Sequence, residues 1–224
     1  MDNILVIVAH PDDEVLGCGG TIARHSNNGD KVHVIYMTNG VSSRNSSTKE
    51  IQNRQNAAQN AANILGVLSI KFLDFPDNKM DSVPLLDIVQ SIEVVTRDLD
   101  PKVIYTHHYG DLNIDHQITN RAVMTAFRPI PGASTHSIYT FEVVSSTDWV
   151  FIERDSFNPN YFVEITNYMD VKVSALNSYD MELRQIPHTR SHSHIDALAK
   201  FRGNTVGVEM AEAFTISRKI LKDL

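Results

Sequence analysis

Five consecutive residues, His10-Pro11-Asp12-Asp13-Glu14, put one imidazole and three carboxyls side by side directly behind the apolar run Ile4–Ala9. Turns attract Asp and Pro and helix starts favour acids, which accounts comfortably for one carboxylate. A histidine with three acids beside an apolar strand asks for a chemical reason. A second polar cluster, His107-His108-Tyr109-Gly110-Asp111-Leu112-Asn113-Ile114-Asp115-His116, follows another apolar run, Lys102–Thr106. Imidazole and carboxylate suit Zn²⁺ or Fe²⁺, and two His plus one carboxylate leave positions open for water, the mark of a catalytic and not a structural site. His107 and His108 read on their own as polar residues at a strand end. His25 and His33 fall on a helix and a strand and read as surface or satisfied core histidines.

Two distant clusters can serve one site only if the fold brings them together. Ile4–Ala9 is a short β-branched run suited to a strand buried on both faces of a parallel sheet. Gly17–Asn28 is expected as a helix, Lys31–Met37 as a strand, Lys49–Leu65 as a helix stopped by Gly66, and Ile70–Leu73 as a short strand. Val83–Leu99 follows as a helix, Lys102–Thr106 as a strand and Asp115–Phe127 as a helix. This alternation predicts an α/β fold, a Rossmann-like and mostly parallel sheet with helices on both faces. Ligands of such sheets bind beyond the carboxyl ends of the strands, where both polar clusters sit. Beyond Pro129 the pattern loosens. Ser137–Val144 and Tyr161–Ile165 are expected as antiparallel strands, Asp170–Arg184 and His194–Gly203 as helices. The expected organisation is one domain over 1–224, with a core at 1–128 and a C-terminal α+β cap at 129–224 covering the site.

Composition narrows the class of function. Twenty Lys and Arg against 27 Asp and Glu give a net charge of −7, with the cations scattered, which disfavours a nucleic-acid partner. A few arginines in a cleft would still suffice for a phosphorylated small substrate. The single cysteine, Cys18, excludes an intrachain disulfide and a cysteine-based zinc cluster. No basic leader precedes the first apolar run and no apolar stretch approaches a membrane span, so a cytoplasmic protein without membrane insertion is expected. The Ser/Asn-rich stretch Asn39–Lys49 reads as a loop. Gly17-Cys18-Gly19-Gly20 invites a dinucleotide-binding reading, but the third fingerprint glycine would fall at Ile22 and the second strand ends in Met37-Thr38 without an acid for a ribose. These glycines instead suit close packing of the first helix, with Cys18 as a small buried apolar residue.

With these residues in view, the sequence resembles the PIG-L/LmbE-like family of metal-dependent N-deacetylases, which act on N-acetylglucosamine-type sugars. The resemblance rests on Ala9–Glu14, Gly17–Gly20 and Asn113-Ile114-Asp115-His116, with weaker support from Phe75-Pro76-Asp77-Asn78, Pro187–Ser191 and Gly207-Val208-Glu209. It implies His10, Asp13 and His116 as ligands of Zn²⁺, with Fe²⁺ as another candidate, and Asp12 as the general base. Glu14 and Asp115 are implied as acceptors that orient ligands. Many members carry a histidine where this chain has Asn113, which can donate a hydrogen bond but cannot be cationic; His108 or His188 is the candidate to take that role. Arg54 and Asp77 match sites that touch sugar hydroxyls or an anionic group, and Arg44 and Arg190 are candidates for binding phosphate. The implied substrate is an N-acetylated amino sugar, sugar phosphate or nucleotide-sugar, and a homo-oligomer is implied by the resemblance alone. Two other readings stand beside it: a metal-dependent amidase acting on a non-sugar N-acyl substrate, and a binding protein that has kept the metal but lost turnover.

Overall fold

The computed structural model describes residues 1–41 and 47–221, so Arg44 lies outside the described residues. The first part of the chain runs β1 (Asn3–Val8), α1 (Asp13–Asn27), β2 (Lys31–Thr38), α2 (Thr48–Leu65), β3 (Ser69–Phe75), α3 (Leu85–Thr96), β4 (Val103–His107) and α4 (Ile114–Ala126). The remainder contributes β5 (Ser137–Phe141), β6 (Tyr161–Glu164), α5 (Met169–Leu176), α6 (His192–Thr205) and β7 (Ala211–Lys219). All seven strands form one sheet in the order β3-β2-β1-β4-β5-β7-β6.

Alternation along β1 shows how the layers are built, because successive strand residues point to opposite faces. Ile4, Val6 and Val8 join a core with Val15 and Ile22 of α1, Ala58 and Leu65 of α2 and Leu176 of α5. Leu5 and Ile7 point the other way, into a second core with Ile88 and Ile92 of α3 and Ile118 and Val123 of α4. Helices therefore cover both faces of a mostly parallel sheet, as the sequence pattern predicts.

Three expectations need correction. β5 is parallel to β4; the antiparallel pairs are β5 with β7 and β6 with β7, and β7 itself escapes the sequence pattern. The first helix starts at Asp13, not Gly17, because the Asp12 carbonyl already accepts from the amides of Val15 and Leu16, at 3.1 and 2.9 Å. The acid cluster is thus the opening turn of α1. The helix expected over Asp170–Arg184 stops at Leu176 and continues as a tight 3-10 turn over Asn177–Glu182, interrupted at Tyr179 (φ −109°, ψ 38°). Asn and Ser, which stand at 177 and 178, are residue types that disfavour a helix interior.

α1 is itself broken at Cys18 (φ −148°, ψ 25°). The break strands groups that an intact helix would pair, and two buried charges recover them. Glu212 accepts from the amides of Gly20 and Thr21 at 2.9 and 2.7 Å, while Lys172 donates to the Leu16 carbonyl at 3.0 Å and to Glu212 at 2.6 Å. The glycines around the break are packing residues: a Cβ on Gly17 would lie 2.2 Å from the Phe141 ring, and one on Gly20 would lie 2.8 Å from Ile165. Cys18 between them is a free, buried thiol.

Candidate active site

β1 and β4 lie side by side at the centre of the sheet, with β2 and β3 beyond β1 and β5 beyond β4. Strand order reverses between them, and in open α/β sheets the crevice at that reversal is where ligands bind. The turn into α1 brings His10, Asp12, Asp13 and Glu14 to this crevice from one side. The β4–α4 loop and the first turn of α4 bring Asp111, Asn113, Asp115 and His116 from the other.

Three of these residues converge most tightly. His10 Nδ1 lies 3.2 Å from Asp13 Oδ2 and 3.3 Å from His116 Nε2, and His116 Nε2 lies 3.3 Å from Asp13 Oδ2. Zn–N and Zn–O bonds of roughly 2.0–2.1 Å at a tetrahedral angle give a donor–donor edge of about 3.3–3.4 Å. A triangle of two imidazole nitrogens and a carboxylate oxygen therefore fits one divalent ion with a position left open. The other Asp13 oxygen, Oδ1, is buried without a hydrogen-bond partner.

The outer nitrogens are held as ligand histidines usually are, by carboxylates that fix the ring and its tautomer. His10 Nε2 faces Asp115 Oδ2 at 3.2 Å and Asp77 Oδ1 at 3.3 Å. His116 Nδ1 faces Asp111 Oδ2 at 3.1 Å, and Asp111 in turn accepts from the hydroxyls of Ser146 and Thr147. His10, Asp77 and Asp115 could also group around a cation. However, Asp115 already accepts from the amides of Asn78 and Met80, at 2.6 and 3.0 Å, so this trio serves as the outer support of His10. In the ion-free protein, burial pulls His116 down but Asp13 and Asp111 outweigh it and lift it to about 9. His10 is likewise raised against its burial, by Asp115, Asp13 and Asp77. Asp13 is held well below the carboxylate range by His116 and by its hydrogen bond with His10, despite its burial.

Neither neighbouring histidine joins the triangle. The Nε2 lone pair of His107 is used by the Ala9 amide at 2.9 Å, and burial lowers its pKa to about 3, so the ring is neutral. It stacks on His116 with centroids 3.9 Å apart. His108 Nε2 donates to the Asp155 carbonyl at 2.9 Å. His25 and His33 are satisfied by Asp30 with Tyr105 and by Ser69 respectively.

Asp12 stands apart from the triangle. Its carboxylate Oδ2 accepts from Arg190 Nη1 at 2.8 Å and lies 3.2 Å from Arg54 Nη2. Glu182 pairs with the same two arginines, at 3.2 Å from Arg54 and 3.5 Å from Arg190. The Asp12 backbone is unusual as well, with φ 114° and ψ −27°, a left-handed conformation that costs a non-glycine residue roughly 1–3 kcal/mol. Glu14 accepts from the Asp12 amide at 3.0 Å and from the Tyr179 hydroxyl at 2.7 Å. Burial pushes the Glu14 carboxyl up to about 7 against those two hydrogen bonds.

His10, Asp12, Arg54, Asp77, Asn113 and Arg190 line one cleft of about 90 Å³, joined there by Asn78 and Glu182. Asn113 caps α4 through the Asp115 amide, at 2.8 Å, and its side-chain NH₂ donates to Asn78 Oδ1 at 3.2 Å. His188 is placed next door, in a cavity of about 230 Å³ with Ser145, Glu182, Arg184 and Arg190. Sequence reasoning leaves out Glu182 and Tyr179, which carry no motif and lie about 170 residues from Asp12. It also leaves Asp111 without a role, although its place in the His107–His116 cluster was a usable signal.

Comparison with known proteins follows the same residues. Residues 5–127 match the family described as GlcNAc-PI de-N-acetylase, PIG-L. The uncharacterized deacetylase YaiS of Escherichia coli K12 is 33% identical over 182 residues, covering 79% of this chain and 89% of its own. The diacetylchitobiose deacetylase of Thermococcus kodakarensis is 24% identical over 93% of this chain and 80% of its own. The structure of 4-carboxy-2-hydroxymuconate hydratase from Pseudomonas putida KT2440 superposes over 100% of both chains with a TM-score of 0.78 at 23% identity, a likeness of fold alone.

Proposed function

Because the chain belongs to the PIG-L family, we propose that it is a metal-dependent hydrolase that removes the N-acetyl group from an amino-sugar derivative and releases acetate. The observation that carries this reading is the donor triangle of His10, Asp13 and His116, with a carboxylate, Asp12, that lines a cleft with His10 and stands outside the triangle. The three would hold Zn²⁺, or Fe²⁺ in its place. Bound there, such an ion supplies Lewis acidity toward the amide carbonyl and brings the pKa of water to about 7.

The chain's own residues do the rest. Asp12 takes the proton of the attacking water as general base and returns it to the departing amine. Its pairing with Arg54 and Arg190 aims it into the cleft. Asp115 and Asp77 behind His10, and Asp111 behind His116, hold the two rings with their ligating nitrogens facing Asp13. Arg54, Asp77, Asn113 and Arg190 offer donors and acceptors to sugar hydroxyls or a phosphate, and His188 extends that polar wall. Asn113 gives a neutral donor at the mouth. A protein that only bound metal would have no use for a carboxylate so placed, which favours turnover.

The test is acetate release from a panel of N-acetylhexosamines, their phosphates and nucleotide-sugars, run beside N-acylated amino acids. Acetate from a sugar class supports the proposal. Release only from the amino-acid conjugates would move the activity to a non-sugar amidase, and silence throughout would reject deacetylation on a fold that also carries a hydratase.

A further inference from the structure

We propose that Tyr179 is a positioning residue for Asp12, acting on its backbone through Glu14 and on its carboxylate through Arg54; this rests on the reading of Asp12 as general base. The left-handed conformation of Asp12 is unfavourable for any residue with a side chain, so something must hold it. Its carbonyl is taken by the first turn of α1. Its amide is taken by one oxygen of Glu14, and the other oxygen of that carboxylate accepts the Tyr179 hydroxyl. Glu14 and Tyr179 are each 1% exposed, so no water competes for either bond.

The same tyrosine supports the far end of Asp12. The Arg54 guanidinium lies over the Tyr179 ring, 5.3 Å from its centroid, and reaches on to Asp12 Oδ2. One side chain from the 3-10 turn after α5 thus underlies both the amide and the carboxylate of a residue 167 positions earlier in the chain. That turn also carries Glu182, the counter-charge of Arg54 and Arg190. A tyrosine here does what phenylalanine could not: its ring would survive the exchange, but Glu14 would lose its second anchor and be free to swing away from the Asp12 amide.

Tyr179→Phe removes only the hydroxyl and separates positioning from packing. In the metal-loaded variant, kcat is expected to fall at least tenfold with KM within about twofold of wild type and metal content unchanged. Independently of activity, hydrogen exchange of the Asp12 amide, followed by NMR, is expected to accelerate at least tenfold while amides of β1 keep their protection. Glu14→Gln, which keeps the shape but weakens the acceptor, is expected to repeat both changes should the tyrosine variant fail to fold. An Asp12 amide as protected in either folded variant as in wild type overturns the proposal. If wild-type protein released no acetate, the functional reading would fail, and the exchange measurement alone would still decide whether Tyr179 holds Asp12.

Discussion

At the scale of single residues, two carboxylates adjacent in sequence are proposed to have different tasks. Asp13 points at two imidazoles and Asp12 at two guanidiniums. Asp12→Asn keeps the shape and the arginine contacts but cannot accept a proton. It is expected to retain stoichiometric metal and to lose roughly 10²–10⁴ in kcat, the usual scale of a general base, as read from steady-state kinetics beside metal analysis. The proposed ligands give a second prediction. Protons compete with the ion for His10 Nδ1 and His116 Nε2, and both residues are raised, His116 to about 9, so both are charged near neutral pH in the ion-free protein. Binding there displaces two protons. Chelator competition should show affinity rising with pH through neutrality, and more shallowly once pH passes about 9, where His116 loses its proton. An affinity independent of pH would remove this histidine pair from the ligand set. At this scale the sequence was most legible where chemistry is concentrated in a few neighbouring residues, as in His10–Glu14 and Asn113–His116. It was illegible where a partner arrives from a distant segment: Arg190 reads as a phosphate binder, and only the fold shows its guanidinium on Asp12.

At the scale of elements, α1 carries the strain of positioning the site. It opens on Asp13, breaks at Cys18 and presses two glycines against β5 and the segment after β6. Gly17→Ala would drive a Cβ to 2.2 Å from the Phe141 ring, whereas the same change at Gly19 meets Val15 at 3.1 Å. Overpacking costs about 1–3 kcal/mol, so Gly17→Ala should lower Tm by on the order of 2–12 °C, and Gly19→Ala by clearly less, in a thermal melt. The Lys172–Glu212 pair patches the break, and removing one partner of a buried pair leaves the other uncompensated. Glu212→Ala is expected to destabilise by about 3–5 kcal/mol in denaturant titration, and the double exchange Lys172→Met with Glu212→Gln by less. The first eight elements were readable because apolar runs and helical periodicity alternate cleanly from Ile4 to Phe127. The later ones were harder. β7 reads Ala-Glu-Ala-Phe-Thr-Ile-Ser-Arg-Lys, with charges inside it, because Glu212 faces the interior to serve α1 and the strand's far end is solvated. Local periodicity cannot reveal a buried charge whose reason lies in another helix.

At the scale of the whole molecule, the parallel order of β1 to β5 converts two distant clusters into one crevice, and the segment from Tyr179 to Arg190 closes it from the side of Asp12. No helix among the described residues is long and apolar enough to cross a membrane. The cleft mixes acids with two arginines, so its charge follows from what it binds more than from the net −7 of the chain. We propose that a divalent ion on His10, Asp13 and His116 is needed to release acetate from an amino-sugar substrate. The decisive measurement strips the protein with a chelator, reloads it with Zn²⁺ or Fe²⁺, and follows acetate from the sugar panel beside His116→Ala treated identically. Activity should be lost on stripping, regained on reloading, and absent from His116→Ala at every metal concentration that restores the wild type. Acetate release that survives stripping, or that His116→Ala supports as well as wild type, would contradict it.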